Sequence, residues 1–77
     1  MYYDGEGIEK NYKKAFEYYK KAAKKDDAYA QYSLGFMFEH GQGVEKNINK
    51  AKEWYEKAAK QNYESAVKAL NEMKNKN

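Results

Sequence analysis

Apolar positions recur every three to four residues along four stretches of this chain, and helix-stopping residues separate the stretches. Tyr12, Ala15, Phe16, Tyr19, Ala22 and Ala23 share one stripe with lysines opposite, which predicts a helix over 12–25. Asn11 stands before it as the expected N-cap. Asp26 and Asp27 make a turn, and Asp27 can cap a second helix over 28–40. That helix is apolar on several sides: Ala30, Leu34, Met37 and Phe38 on one, Tyr29, Tyr32 and Phe36 on another. Such a helix is sandwiched between neighbours or offers a face to a ligand. Gly35 in its middle costs about 1 kcal/mol relative to Ala, and close helix contact is the expected return. Gly41-Gln42-Gly43 breaks the pattern, and Val44 is placed to fill the gap beneath the loop. Asn47 then caps a third helix over 48–60, with Ile48, Ala51, Trp54, Tyr55, Ala58 and Ala59 inward and a Glu53–Lys57 pair on its surface. Asn62 ends it at a position that tolerates a left-handed backbone. A fourth helix covers 63–74, with Tyr63, Ala66, Val67, Leu70 and Met73 inward.

The stretches are copies of one unit. Sliding the chain by 36 positions lays Gly5 on Gly41, Gly7 on Gly43, and Ile8 on Val44. It lays Glu9-Lys10-Asn11 on Glu45-Lys46-Asn47, Tyr19 on Tyr55, and the KAAK of Lys21–Lys24 on that of Lys57–Lys60. No gap is needed. A period of this length marks a helical solenoid. Residues 28–62 are one complete copy. Residues 1–27 form a partial copy, whose first four residues match the end of a helix and precede a Gly5-Glu6-Gly7 break. Residues 63–77 read as a terminal capping helix, in which Asn71 stands where Gly35 stood and the close-contact requirement is gone. The whole is expected to be an all-α, right-handed solenoid of antiparallel helix pairs, about two repeats long.

The complete copy resembles the Sel-one-like repeat (SLR) family, a relative of the tetratricopeptide repeats. The resemblance rests on Ala30, Leu34, Gly35, Phe38, Gly41, Gly43 and Val44, followed by Asn47, Lys50, Ala51, Trp54, Tyr55, Lys57, Ala58 and Ala59. Phe38 replaces the family's usual tyrosine and Asn47 its usual aspartate; Asp26 and Asn62 stand where its second helix usually ends in glycine. The resemblance implies stacked helix pairs whose first helices line a concave surface, and a role as adaptor or scaffold. One bacterial branch linked to β-lactam chemistry depends on paired cysteines in each repeat, which this chain lacks, so no enzymatic role carries over.

Composition narrows the chemistry. The 77 residues hold no cysteine, no proline and no arginine; the net charge of +3 is all lysine on the basic side. A chain this short buries one small core at most. The lack of cysteine excludes disulfides and thiolate chemistry, and no apolar run approaches the roughly 20 residues that span a bilayer. With no leader pattern at the start, a cytoplasmic location is favoured. His40, the single histidine, stands at a helix end, where a local capping role outweighs a base or ligand role. Ser33 has no histidine partner in sequence reach, the glycine loops follow helices rather than strands, and no metal-ligand cluster exists. No cofactor and no catalysis are expected.

What remains is a surface. Tyr29, Tyr32, Ser33, Phe36 and His40 lie at i, i+3, i+4, i+7 and i+11, one face of one helix. This is the expected concave binding face for a protein or peptide, against the alternative that Tyr32 and Phe36 only pack on a neighbouring repeat. A different class of partner is nucleic acid or an anionic surface, met by Lys13, Lys14, Lys20, Lys21, Lys24 and Lys25 of helix 12–25. The lack of arginine counts against it. The partial first copy is further expected to leave Tyr2, Tyr12, Phe16 and Tyr19 partly exposed, inviting upstream repeats of a longer parent chain or weak self-association.

Overall fold

The structure, a computed structural model, describes residues 11–75. The predicted helical turn at 1–4, the Gly5-Glu6-Gly7 break and Tyr2 lie outside the described residues. Four helices follow in order: α1 (Tyr12–Lys24), α2 (Ala28–His40), α3 (Ile48–Ala59) and α4 (Glu64–Asn75). Among the described residues there is no strand. Each helix packs antiparallel against the next across a short connection, and the chain is an all-α repeat solenoid.

The helix ends explain why the chain turns where it does. At the C-terminus of α1, Asp26 takes a left-handed backbone (φ 69°), its N–H donates to the Ala23 carbonyl at 3.0 Å, and the Asp27 N–H reaches Ala22 at 3.3 Å. One repeat later, Asn62 (φ 65°) donates to Ala59 at 2.8 Å and Tyr63 donates to Ala58 at 3.2 Å. This is the Schellman arrangement, which satisfies the last carbonyls of a helix and reverses the chain. Asp and Asn replace glycine because their short polar side chains tolerate the left-handed region better than other residues do. At the N-termini, Asp27 accepts from the Ala30 N–H at 3.2 Å and Asn47 from the Lys50 N–H at 3.0 Å. Both caps sit on extended backbone. Asn11 does not cap α1. Its backbone is already near-helical (φ −94°, ψ 2°), so its side chain makes no capping bond.

The α2–α3 contact is the most extensive between helices among the described residues. Tyr55 is fully buried, and its ring lies over Gly35, where a Cβ would sit 2.6 Å from Tyr55 Cδ1 and 3.1 Å from the Ala51 carbonyl oxygen. The Tyr55 hydroxyl donates to Glu39 Oε1 at 2.7 Å. Around it Ala51, Ala58 and Ala66 are fully buried, with Met73 closing the far side. A second cluster joins α1 to α2 through Ala23, Ala30 and Leu34, with Phe16, Tyr19 and Trp54 packed on its edge. Met37 is buried as well, while Val44 and Ala59 are half-buried.

Two residues expected inside are exposed. Ile48 opens α3 beside a shallow depression shared with Glu39, His40 and Met73, and it stays 43% exposed. Val67 is 40% exposed because α4 packs chiefly on α3, so only a narrow arc of it is covered. The expected Glu53–Lys57 pair is also absent: Lys57 Nζ lies 5.5 Å from the centre of the Trp54 ring, and the single ion-pair contact among the described residues joins His40 to Glu39 at 3.9 Å.

The glycines separate two kinds of strain. Gly41 (φ 68°) has ordinary room for a Cβ, 3.4 Å from Lys46, so Gly41→Ala should cost only the left-handed backbone, about 1 kcal/mol. At Gly43 (φ 75°) a Cβ would meet the Tyr12 backbone carbonyl at 2.6 Å, which cannot swing aside, so Gly43→Ala should cost clearly more. At Gly35 the helix-propensity gain of roughly 1 kcal/mol opposes an overpacking cost of about 1–3 kcal/mol, and the buried Tyr55 ring makes the second dominate. Thermal melts followed by circular dichroism should therefore rank Gly43→Ala and Gly35→Ala below Gly41→Ala. A Gly35→Ala variant that melts higher than the wild type would show that the Tyr55 ring yields freely.

Candidate functional site: an aromatic face on α2

One face of α2 carries the five sequence-predicted site residues. Tyr29 is 52% and Phe36 38% exposed, and His40 is exposed at the helix end. Tyr32 is half-buried and Ser33 is buried. The rings form a chain that crosses three elements. Tyr19 of α1 meets Tyr29 edge-on at 5.8 Å, and Tyr29 meets Tyr63, just before α4, at 6.4 Å. Tyr32 lies 5.5 Å from Tyr63 and 5.6 Å from Tyr55, so packing is a large part of its role. Phe36 meets the His40 ring in a tilted contact at 4.3 Å. Offset and edge-on aromatic contacts at these distances hold the rings in fixed orientations.

A groove of about 350 Å³ opens between α1 and α2 on this face. Tyr12, Ala15 and Tyr19 form one wall, and Tyr29, Tyr32 and Phe36 the other; Gln42 closes one end. Among the described residues no charged one lines it. Tyr12 and Tyr19 are half-buried here. Four of the five predicted residues thus share the groove; His40 instead lines a separate depression with Glu39, Lys46 and Ile48.

Three tyrosines of this region, Tyr19, Tyr32 and Tyr55, hold their protons more tightly than a free tyrosine. The neighbouring Tyr29 hydroxyl, then burial, raises the Tyr19 pKa above the ordinary tyrosine value. Burial, then Tyr63, raises that of Tyr32. Burial raises Tyr55 most, and its hydrogen bond to the Glu39 carboxylate adds to it. A neutral hydroxyl at the rim of an aromatic groove both donates and accepts a hydrogen bond, which suits a peptide backbone. Ser33 and His40 are two helical turns apart, about 10 Å along the axis, so they cannot form a nucleophile–base pair. Among the described residues no three His, Asp or Glu side chains gather as metal ligands, and no helix is long and apolar enough to cross a membrane.

Two polar contacts escaped the sequence. One is Tyr55 to Glu39. The other is an amide bridge: Gln61 Nε2 donates to the Asp26 carbonyl at 2.8 Å and to Gln31 Oε1 at 3.1 Å, while buried Gln31 donates to the Ala23 carbonyl at 3.3 Å. It ties the α1–α2 turn to the α3–α4 turn, the equivalent point one repeat later. The available signal was Gln31 itself, a lone amide on the α2 side otherwise occupied by Ala30 and Leu34.

The family model of the Sel1 repeat matches residues 1–27 and 28–63. Searches of curated proteins and of solved structures returned no significant match.

The raised tyrosines make stability depend on pH in a defined direction. An unfolded tyrosine titrates near pH 10, whereas folded Tyr55 keeps its proton to higher pH. The folded state thus binds more protons above about pH 10, and its stability falls as pH rises further; below that the contribution is complete. Urea unfolding at pH 8 and at pH 10.5 should show a drop in the wild type that is smaller in Tyr55→Phe. At pH 8 the same variant should lose about 1 kcal/mol with the hydrogen bond. An identical alkaline drop in both proteins would remove Tyr55 as its source.

Proposed function

This chain belongs to the Sel1 repeat family, and we propose that it holds a protein or peptide partner in the aromatic groove between α1 and α2. Repeats of this family are generally protein-interaction modules, and the proteins they build are typically non-enzymatic scaffolds. The observation that supports this groove is the exposure of Tyr29 and Phe36 within an otherwise interlocked ring chain. Large rings left open beside a concave, uncharged groove are the usual anchors of a docking site, since aromatic side chains carry most of the contact energy in interfaces. The neutral hydroxyls of Tyr19 and Tyr32 supply hydrogen bonds to the partner's backbone, and the buried parts of both residues keep the groove preformed.

The double variant Tyr29→Ala/Phe36→Glu tests this directly. Both residues are exposed enough for the fold to survive, which a melting temperature within a few degrees of the wild type would verify. Affinity capture followed by mass spectrometry should then show partners held by the wild type and lost by the variant, a loss of about 2 kcal/mol or more per anchor. Recovery of the same set by both proteins would place the docking surface elsewhere.

A further inference from the structure

A second depression lies on the other side of α2. Phe36 and Phe38 are two residues apart, which turns them by roughly 200° around the helix axis. Phe36 faces the aromatic groove described above, whereas Phe38 and Leu34 floor a second groove between α1 and α3. This second groove has two segments that share Trp54 and Lys57, one of about 270 Å³ and one of about 590 Å³. Five lysines line them: Lys20, Lys50 and Lys57 along the first, and Lys24 and Lys60 with Lys57 along the second. Against these stand two carboxylates, Glu53 and Asp26.

The lysines are not simply extended into water. Lys20 Nζ lies 5.8 Å from the centre of the Phe16 ring, Lys50 Nζ 5.7 Å from that of Phe38, and Lys57 Nζ 5.5 Å from that of Trp54. Cation–π attraction holds three ammonium groups over the groove floor, and none of them makes an ion pair with Glu53. Stabilisation of helix C-termini accounts for Lys24, Lys57 and Lys60, but not for Lys50, which stands in the first turn of α3 where a cation opposes the helix dipole. We infer that the α1–α3 groove is a second docking surface, and that its occupant is an acidic peptide segment whose carboxylates pair with lysines already positioned over Phe16, Phe38 and Trp54. The inference does not depend on the aromatic groove and would make the repeat unit a two-sided connector.

Charge and geometry select a peptide over nucleic acid. Phe16, Phe38 and Trp54 each carry an ammonium group on one side, which competes there with the base stacking that single-strand binders require. Arginine, the residue of bidentate phosphate recognition, is missing from the chain. Glu53 and Asp26 interrupt the positive lining, which penalises an unbroken run of phosphates but leaves room for a peptide whose acidic residues alternate with neutral ones. Preorganised lysines also lose less side-chain freedom when the partner arrives.

Trp54 is the single tryptophan and forms part of both segments, so its fluorescence reports on the groove without a label. The full chain would be titrated at low salt with a twelve-residue peptide of alternating Glu and Ser. The same peptide with Gln in place of Glu, and a twelve-nucleotide oligothymidylate, are the comparison ligands. The Glu peptide should shift Trp54 emission saturably, and binding should weaken as salt rises. Lys57→Gln/Lys60→Gln should lower its affinity about five- to tenfold, as expected for losing two partly exposed ion pairs. Lys13→Gln/Lys14→Gln, which removes the same charge outside the groove, should leave affinity within twofold. Circular dichroism melts would verify that both variants are folded. The proposal is overturned by no response to the Glu peptide, by an equal response to the Gln peptide, by tighter binding of the oligothymidylate, or by equal losses in the two lysine variants.

Discussion

Tyr55 lying on Gly35 is the contact on which the rest of the molecule depends. Its ring occupies the space a side chain at position 35 would fill, which brings the α2 and α3 axes closer than two side-chain-bearing surfaces could come. Ala51 and Ala58, one turn on either side along α3, keep that approach close over the whole contact, and both are fully buried. The hydroxyl then needs a partner, because a phenol buried without one would cost about 1–3 kcal/mol. Glu39 supplies it from the last turn of α2. Helix position, ring burial and hydrogen bond therefore fix one another.

That contact also sets which parts of α2 are free. With α1 on one flank and α3 on the other, an all-round apolar helix is left with two open strips roughly opposite each other. One carries Tyr29 and Phe36, the other the half-buried Phe38 beneath lysines from α1 and α3. The two differ in chemistry because the neighbours differ. The first strip is rimmed by tyrosines, so its groove is uncharged. The second is roofed by the long side chains of α1 and α3, which curl over the aromatic rings and leave their charges at the groove. A short repeat can in this way present two unlike surfaces without any insertion.

Repetition then links the units. The left-handed residues Asp26 and Asn62 end their helices with the same pair of backbone bonds. The amide bridge through Gln61 and Gln31 joins these two equivalent turns directly, so the register of one repeat on the next is fixed by hydrogen bonds as well as by apolar packing. Fully satisfied amides inside such a joint favour one register, since any slip would leave them unpaired.

The sequence by itself determined the four helices, their order and the repeat architecture, because periodicity, caps and turn residues act over a few neighbouring positions. Asp27, Asn47, Asp26, Asn62, Gly41 and Gly43 each act within such a span, and Gly35 announced a close contact by standing where glycine is otherwise costly. It also placed Tyr29, Tyr32, Ser33, Phe36 and His40 on one face, though not which of them are open to solvent. Asn11 showed the limit of the local rule, since a cap works only if the backbone before the helix is extended, and here it is not. Ile48 and Val67 were misplaced because burial is decided by how far the neighbouring helix reaches, which no periodicity records. Tyr55 reached Glu39, and Gln61 reached Asp26 and Gln31, because these partners lay on other helices and turns. Tertiary structure alone decided these, along with the groove between α1 and α3, whose walls come from residues up to about 40 positions apart and meet only when the solenoid closes.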